Sequence, residues 1–239
     1  MLEKVERLQI FCTGILISIA LIITAIIITK STSNNTITVT GSAYEIVKSD
    51  TGSIDFEINI KNQTKQGGYA ELQKQIQSVK KYLENKKIKD IELQSINTYA
   101  EYKRNFNGNY TNEIDYYNMT QPIKIKSDNV ELIKEISTDL ASLINQGIDI
   151  RINYTSYNYS KLADLKVKLL EKASQDAKNR AMSMLKPTGS SIGKVQSVKM
   201  GVYQITTTDS TEVTDGGIND TSSIDKKVTA VTNIAFKIK

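Results

Sequence analysis

The stretch IDFEINI at residues 54–60, followed by YAELQKQIQSVKKYL at residues 69–83, decides the fold class. In the first segment apolar and polar residues alternate strictly, which is typical of a strand with one buried face. In the second, apolar residues recur every three or four positions, which is typical of a helix with one buried stripe. That stripe comprises Tyr69, Leu72, Ile76, Val79 and Leu83. A strand that leads into an amphipathic helix predicts helices packed on a sheet.

The same alternation marks the other strands of the chain. They are predicted at residues 37–40, 91–93, 96–125, 148–159, 192–207 and 226–238. Within the longest of these, Asn107-Gly108 predicts a two-residue turn and therefore a hairpin. Such a turn would place Tyr99 opposite Tyr116. The predicted sheet is therefore largely antiparallel.

Two further helices follow from capping residues and apolar stripes. One is predicted to begin at Asp128, a good N-cap with Glu131 three residues later, and to end at Gly147. Its stripe is Leu132, Ile136, Leu140, Leu143 and Ile144. The other begins after Ser160, ends before Pro187, and has the stripe Leu162, Leu165, Leu169, Ala173, Ala177 and Ala181. Because its last three stripe positions are alanine, this helix can approach a sheet closely.

Residues 10–29 form an uncharged run, IFCTGILISIALIITAIIIT. As a helix it would be about 30 Å long, the thickness of a bilayer's hydrocarbon core. Lys4 and Arg7 precede it and predict a cytoplasmic N-terminus. The sequence thus predicts a single-pass protein of the cell membrane, with a cytoplasmic tail at 1–9, a transmembrane anchor at 10–29, a tether at 30–35 and an extracytoplasmic domain at 36–239. A cleaved signal peptide is the alternative, although this run is long for one.

Together these patterns predict an α+β fold class, with an N-terminal transmembrane helix followed by a largely antiparallel sheet and three amphipathic helices. The loop at residues 208–225 is rich in Ser, Thr, Asp and Gly and is predicted to be mobile. Its acidic residues do not have the spacing of a calcium-binding loop.

Composition excludes several kinds of chemistry. The chain has no histidine and one cysteine, Cys12, so it cannot form an internal disulfide, a metal site built on His or Cys, or a triad with a His base. We predict no catalytic, metal-binding or cofactor-binding residues, no cofactor, and no enzymatic activity. The net charge is +5, but the lysines are spread along the chain, so no nucleic-acid partner is predicted. Anionic envelope polymers remain a candidate partner, beside the lipid bilayer contacted through residues 10–29.

Aromatic residues crowd the predicted hairpin, and they are the candidate interface: Tyr99, Tyr102, Phe106, Tyr110, Tyr116 and Tyr117. Tyrosine and phenylalanine suit half-exposed surfaces and are enriched at protein interfaces. The alternative is intramolecular, because cross-strand aromatic pairs also stabilise an isolated hairpin.

Three segments resemble the SIMPL-domain family of bacterial envelope proteins. They are the first strand with its glycine (37–43), the strand-to-helix junction (154–162), and the alanine-rich helix with the glycine-flanked strand entry (173–195). The family includes a periplasmic immunogenic protein and an oxidative-stress-defence protein. The resemblance implies an exported α+β domain that assembles into ring-like homo-oligomers, and it implies no established reaction.

Two hypotheses for function are favoured over a third, an enzyme that works without His and Cys. The first is a membrane-anchored envelope protein that self-assembles into a homo-oligomeric, ring-like scaffold outside the cytoplasm, so that its main partner is itself. The second is an extracytoplasmic ligand-binding or stress-sensing module that acts through a partner.

Overall fold

The computed structural model describes residue 11, residues 13–26 and residues 35–239. The fold is α+β, and the chain divides into two compact units. The first unit comprises Met1–Ser42, Lys172–Gly201 and Val231–Lys239, and the second comprises Ala43–Glu171 and Val202–Ala230.

The elements are as follows. The strands are β1 (Thr36–Lys48), β2 (Thr51–Asn62), β3 (Asp90–Leu93), β4 (Asn97–Arg104), β5 (Tyr110–Ser127), β6 (Ile150–Asn158), β7 (Ile192–Met200), β8 (Gln204–Thr207), β9 (Ile218–Asn219) and β10 (Asp225–Ile238). The helices are α1 (residues 13–26), α2 (Lys65–Asn85), α3 (Val130–Asp139) and α4 (Leu162–Leu185). Short 3-10 helices follow α3 at Leu140–Gln146 and α4 at Lys186–Thr188.

The prediction of a membrane anchor needs correction. Among the residues that the structure describes, no helix is long and apolar enough to span a bilayer. The predicted transmembrane helix at 10–29 and the single-pass membrane localisation are therefore wrong. The predicted tail at 1–9, residues 10, 12 and 27–29 of the predicted anchor, and residues 30–34 of the predicted tether lie outside the described residues.

The second unit contains an antiparallel sheet in the order β5-β2-β6, with β3 and β4 both pairing with β5. On β2, alternate residues face a large aliphatic core, as the sequence alternation predicts. The register places Ile54 opposite Ile125 and Ile58 opposite Ile150, so apolar side chains meet across neighbouring strands. The helices α2 and α3 pack against this apolar face.

Helix α2 begins where the sequence supplies a cap and buries the predicted stripe. Thr64 accepts a hydrogen bond from the Gly67 N–H, which satisfies one of the free donors of the first turn. The buried members of the stripe are Leu72, Ile76, Val79 and Leu83. Tyr69, at the start of the stripe, is exposed instead.

Helix α3 departs from prediction at both ends. Its N-cap is Asn129, which accepts from the Leu132 N–H, rather than Asp128, since both side chains cap well and the helix begins one residue later. The helix changes to 3-10 geometry at Leu140, and the buried face shifts accordingly. Its buried residues are Val130, Ile133, Ile136, Leu140 and Leu143, while Ile144 is exposed.

The first unit is built around the end of α4. The C-terminal half of β10 pairs antiparallel with β7, and its last residues hydrogen-bond to the start of β1. Ala173, Ala177 and Ala181 are fully buried, as predicted from the alanine stripe. Gly41 of β1 lies so close to α4 that a Cβ there would stand 2.2 Å from the Ala173 carbonyl oxygen. This core therefore depends on a close approach of two backbones.

Candidate functional site

The aromatic hairpin forms, but with a different register from the predicted one. Tyr99 lies opposite Asn118 instead of Tyr116, and Glu101 lies opposite Tyr116. The two-residue turn is replaced by a wider loop at 105–109, in which the Asn105 N–H donates to the Asn109 carbonyl. Two register shifts further along β4 add to the offset. The prediction of a hairpin is thus correct, and its register is not.

The six predicted interface residues divide between surface and contact roles. Phe106 at the tip is fully exposed, and Tyr99, Tyr102 and Tyr110 are 45–62% exposed. Tyr116 and Tyr117 are half-buried, and because they are adjacent on β5 they lie on opposite faces of the sheet. The structure therefore gathers the first four on the hairpin's exposed part and leaves the last two nearer the body of the sheet.

Several of these rings have partners within the hairpin or beside it. Tyr99 accepts a hydrogen bond from Asn118, and Arg104 both donates to the Tyr110 hydroxyl and lies over its ring, 4.4 Å from the centroid. The ammonium groups of two lysines lie over the other two rings, Lys61 over Tyr116 and Lys65 over Tyr117. In the described part of the chain, neither Tyr102 nor Phe106 has a hydrogen bond or a cation over its ring. These two side chains are the freest to contact a partner.

A second candidate is a polar groove in the second unit, which the sequence did not predict. It consists of two adjoining cavities, of ≈ 520 Å³ and ≈ 390 Å³. Both are lined by Asp90, Lys126, Ser127 and Asp128. Lys87 and Lys89 line the larger, and Lys124 lines the smaller. The one signal in the sequence was the lysine-rich run at 80–89, KKYLENKKIK.

Lys87 has an unusual backbone conformation at the rim of this groove. Its φ is +64°, and it is the one non-glycine residue with positive φ among those the structure describes. It follows the C-cap of α2, where the Lys87 N–H donates to the Glu84 carbonyl and the Ile88 N–H to the Leu83 carbonyl. Glycine is strongly favoured at this position because it has no Cβ. A lysine is therefore held here against its backbone preference.

The loop that was predicted to be mobile, 208–225, contains an ordered cluster around Asp220. The Ser222 and Ser223 hydroxyls and the Ser222 N–H donate to its carboxylate, and the Lys226 ammonium donates to its carbonyl. Burial raises the pKa of the carboxyl, but these hydrogen bonds and the lysine charge outweigh burial and hold the pKa at about 2. Burial lowers the pKa of Lys226, which is 4% exposed.

Other perturbed groups belong to structural contacts between helices. Burial and a hydrogen bond to Asp139 raise the pKa of the Tyr82 hydroxyl. Hydrogen bonds to Glu135 and Asp139 raise the pKa of Lys86.

Asp55 and Glu57, on the outer face of β2, form ion pairs with Lys124 and Arg151. Within the described ranges, no group of three or more His, Cys, Asp or Glu residues could hold a metal ion.

Comparison with known proteins agrees with the segments that resemble the SIMPL domain. No curated protein matches the chain. The SIMPL family, described as a protein of unknown function (DUF541), matches residues 37–235. Membership suggests an extracytoplasmic protein of unknown function. The match covers most of the chain and confirms the resemblance, and this chain belongs to the SIMPL family.

Proposed function

We propose that this protein is a non-enzymatic extracytoplasmic protein that self-associates into a ring-like, homo-oligomeric scaffold through the β4–β5 hairpin. The observation that carries the proposal is the exposure of four large aromatic side chains on one hairpin: Tyr99, Tyr102, Phe106 and Tyr110. Aromatic side chains bury a large area at low entropic cost and dominate the energetics of interfaces. In a single chain the Phe106 side chain is fully exposed and buries none of this area.

The apolar helix α1 gives a second, independent reason to expect association. Within the described residues its large side chains are all 46–65% exposed: Ile15, Leu16, Ile17, Ile19, Leu21, Ile22, Ile23 and Ile26. Contiguous apolar surface of this kind marks an interaction site, since its burial against a partner is favourable. A second copy of the chain carries the same apolar surface and is therefore such a partner.

The test is the mass of the full-length protein by light scattering. We expect Tyr102→Ser combined with Phe106→Ser to lower the mass of the oligomer of 26.7 kDa chains at least two-fold. These two residues are chosen because changing them removes no hydrogen bond within the described hairpin. Tyr69→Ser is the matched control, since Tyr69 is equally exposed in the same unit but lies on α2. An unchanged mass would reject the hairpin as the interface, and a monomeric wild type would reject self-association.

The non-enzymatic part of the proposal rests on the contacts of the perturbed groups. Lys86, Asp139 and Asp220 each have a charged or hydroxyl partner that accounts for the direction of the pKa shift, and burial accounts for the lowered pKa of Lys226. A general acid or base needs a group poised near the working pH and facing a substrate. Turnover by the purified protein of any ester, glycoside or phosphoester in a substrate panel would contradict this part.

A ligand-binding module is the second candidate, and Lys87 favours it. Strained backbone positions are concentrated at functional sites, and Lys87 lines a groove that Lys89 and Lys126 also line. The candidate ligand is an anionic envelope polymer. We expect labelled inorganic polyphosphate to bind the wild type and to bind Lys87→Ala/Lys89→Ala at least several-fold more weakly, while Lys74→Ala on exposed α2 surface has no effect. Equal binding by all three proteins would reject this candidate.

A further inference from the structure

Natural proteins protect the free edges of their sheets, and most edges of this chain have such protection. In the described part of the chain, β7 has Lys194 and Lys199, and β4 has two register shifts in its pairing. The edge of β6 has Arg151, and its Tyr157 N–H donates to the loop carbonyl of Thr221. The edge strand β9 is only two residues long. Each of these features discourages pairing with another chain.

The start of β1 is different. Among the described residues it is a terminal strand, with β10 as its one neighbour in the sheet. Its first nine residues, TITVTGSAY at 36–44, contain no charge and no proline. Threonine, isoleucine and valine have high strand propensity, and a flat uncharged edge of this kind is a template for another strand.

Two hydrogen bonds establish which backbone groups face the free edge. The Ile238 N–H of β10 donates to the Asn35 carbonyl, so odd-numbered residues of β1 point toward β10. The Ser42 N–H, from the even-numbered set, instead donates to the Asp176 carboxylate on α4. The backbone groups of Thr36, Thr38 and Thr40 therefore point to the open side. Asp176 ends the available edge at Ser42.

We infer that the β1 edge pairs with β1 of a second copy, antiparallel and two-fold symmetric about Thr38. This rests on the proposed self-association and adds a second contact to it. In this register Thr38 faces Thr38 of the other copy, and Thr36 faces Thr40 on both sides of the axis. Each of these pairs exchanges two backbone hydrogen bonds and is Thr with Thr, and the intervening non-hydrogen-bonded pairs are Ile37 with Val39, so every pair is of a favourable kind.

The sequence itself argues for a second copy as the occupant. An isologous interface requires a self-complementary strand, and in TITVT at 36–40 the axis relates Thr36 to Thr40 and Ile37 to Val39, so like residues meet at every position. The first charged residue of β1 is Glu45, beyond the Ser42 limit, so no like charges meet in this register. The side chains of Thr38 and Thr40 are already exposed, and pairing needs no rearrangement of them.

Disulfide trapping tests the register directly, in full-length protein with Cys12→Ser. Paired residues at the axis have Cα atoms about 5.5 Å apart, within reach of a disulfide. Thr38→Cys is therefore expected to form a covalent dimer on mild oxidation. Thr40→Cys is the matched control, since two copies of residue 40 would lie about 13 Å apart along the strands. Mixing Thr40→Cys with Thr36→Cys protein is expected to restore cross-linking.

Cross-linking of Thr40→Cys alone, or none by Thr38→Cys, would overturn the inference. A second variant avoids dependence on disulfide geometry. Thr38→Lys places two ammonium groups opposite each other and is expected to lower the oligomer mass at least two-fold, while Ser197→Lys on the exposed edge strand β7 leaves it unchanged. If Thr38→Lys keeps the wild-type mass while the hairpin variant becomes monomeric, the β1 contact is rejected and the proposed function stands. A monomeric wild type would reject both.

Discussion

The two compact units bury their cores in opposite ways. The second unit fills its interior with large side chains, among them Phe56, Leu72 and Leu169, all fully buried. The first unit instead uses Ala177 and Ala181, together with a few larger residues of β1 and β10. In the second unit, side-chain volume fills the space between helix and sheet, and in the first unit the backbones themselves come close. The same chain thus shows that apolar burial and small size are separate routes to a packed helix–sheet contact.

The largest expected effect tests the side-chain route. Phe56→Ala removes a fully buried ring from the centre of β2, and the surrounding aliphatic residues cannot close the cavity. We expect a loss of about 3–5 kcal/mol in the free energy of unfolding, measured by urea denaturation. Phe56→Leu keeps most of the volume and should cost less than half as much. Equal losses for both variants would mean that shape, rather than volume, dominates this core.

The next effect tests the close-approach route by adding a single methyl group. In Gly41→Ala the new Cβ would stand 2.2 Å from the Ala173 carbonyl oxygen and 2.4 Å from the Ala177 nitrogen. Both are backbone atoms, so α4 must shift, and we expect a loss of about 2–3 kcal/mol. Gly216→Ala is the control, because its Cβ would meet nothing within 4 Å. An unchanged free energy of unfolding for Gly41→Ala would show that the backbones of β1 and α4 do not approach each other this closely.

These contrasts also explain what the sequence could predict. The stripe of α4 was correct from Leu165 to Ala181, where leucine and alanine recur every four residues, and Leu162 at its start is only half-buried. The stripe of α3 was correct at Ile136, Leu140 and Leu143, but Ile144 is exposed because the helix changes to 3-10 geometry at Leu140, which no residue type marks. The hairpin register was displaced by bulges in β5, opposite β4, since Asn107-Gly108 specifies a turn but not the irregularities beside it. Regular segments are predictable, and local departures from regularity are not.

The candidate sites follow the same division. The aromatic cluster was visible because its residues are close in sequence, on one hairpin. The polar groove was not, because Thr51, Lys87, Lys126 and Asn158 are brought together only by the sheet. The pairing of Asp220 with Lys226 was also missed, since an acidic loop residue is usually solvated. Its hydrogen bonds depend on the local turn at Ser222 and Ser223.

A smaller effect concerns the buried charge of the second unit, for which the first unit has no counterpart among its described core residues. The folded-state pKa of Asp220 is about 2, below its ordinary value of 3.8. Its contribution is therefore complete above about pH 4 and is lost as the pH falls through about 2. We expect Asp220→Asn to cost about 2 kcal/mol at pH 6 and almost nothing at pH 2. Ser223→Ala should give part of this loss, and a difference independent of pH would contradict the assigned cause.

The smallest effect compares the ends of helical segments and distinguishes strain from function. The 3-10 helices after α3 and α4 both end in a glycine with positive φ, Gly147 and Gly189, whereas α2 ends with Lys87 in the same conformation. Lys87→Gly should therefore stabilise the protein by about 0.5–1 kcal/mol, and Gly189→Ala should destabilise it by a similar amount. Thermal unfolding measures both. A more stable Lys87→Gly protein that binds polyphosphate more weakly would mean that the lysine is kept for the groove at the expense of stability. If Lys87→Gly is instead less stable, its side chain contributes to packing and the strain has no functional meaning.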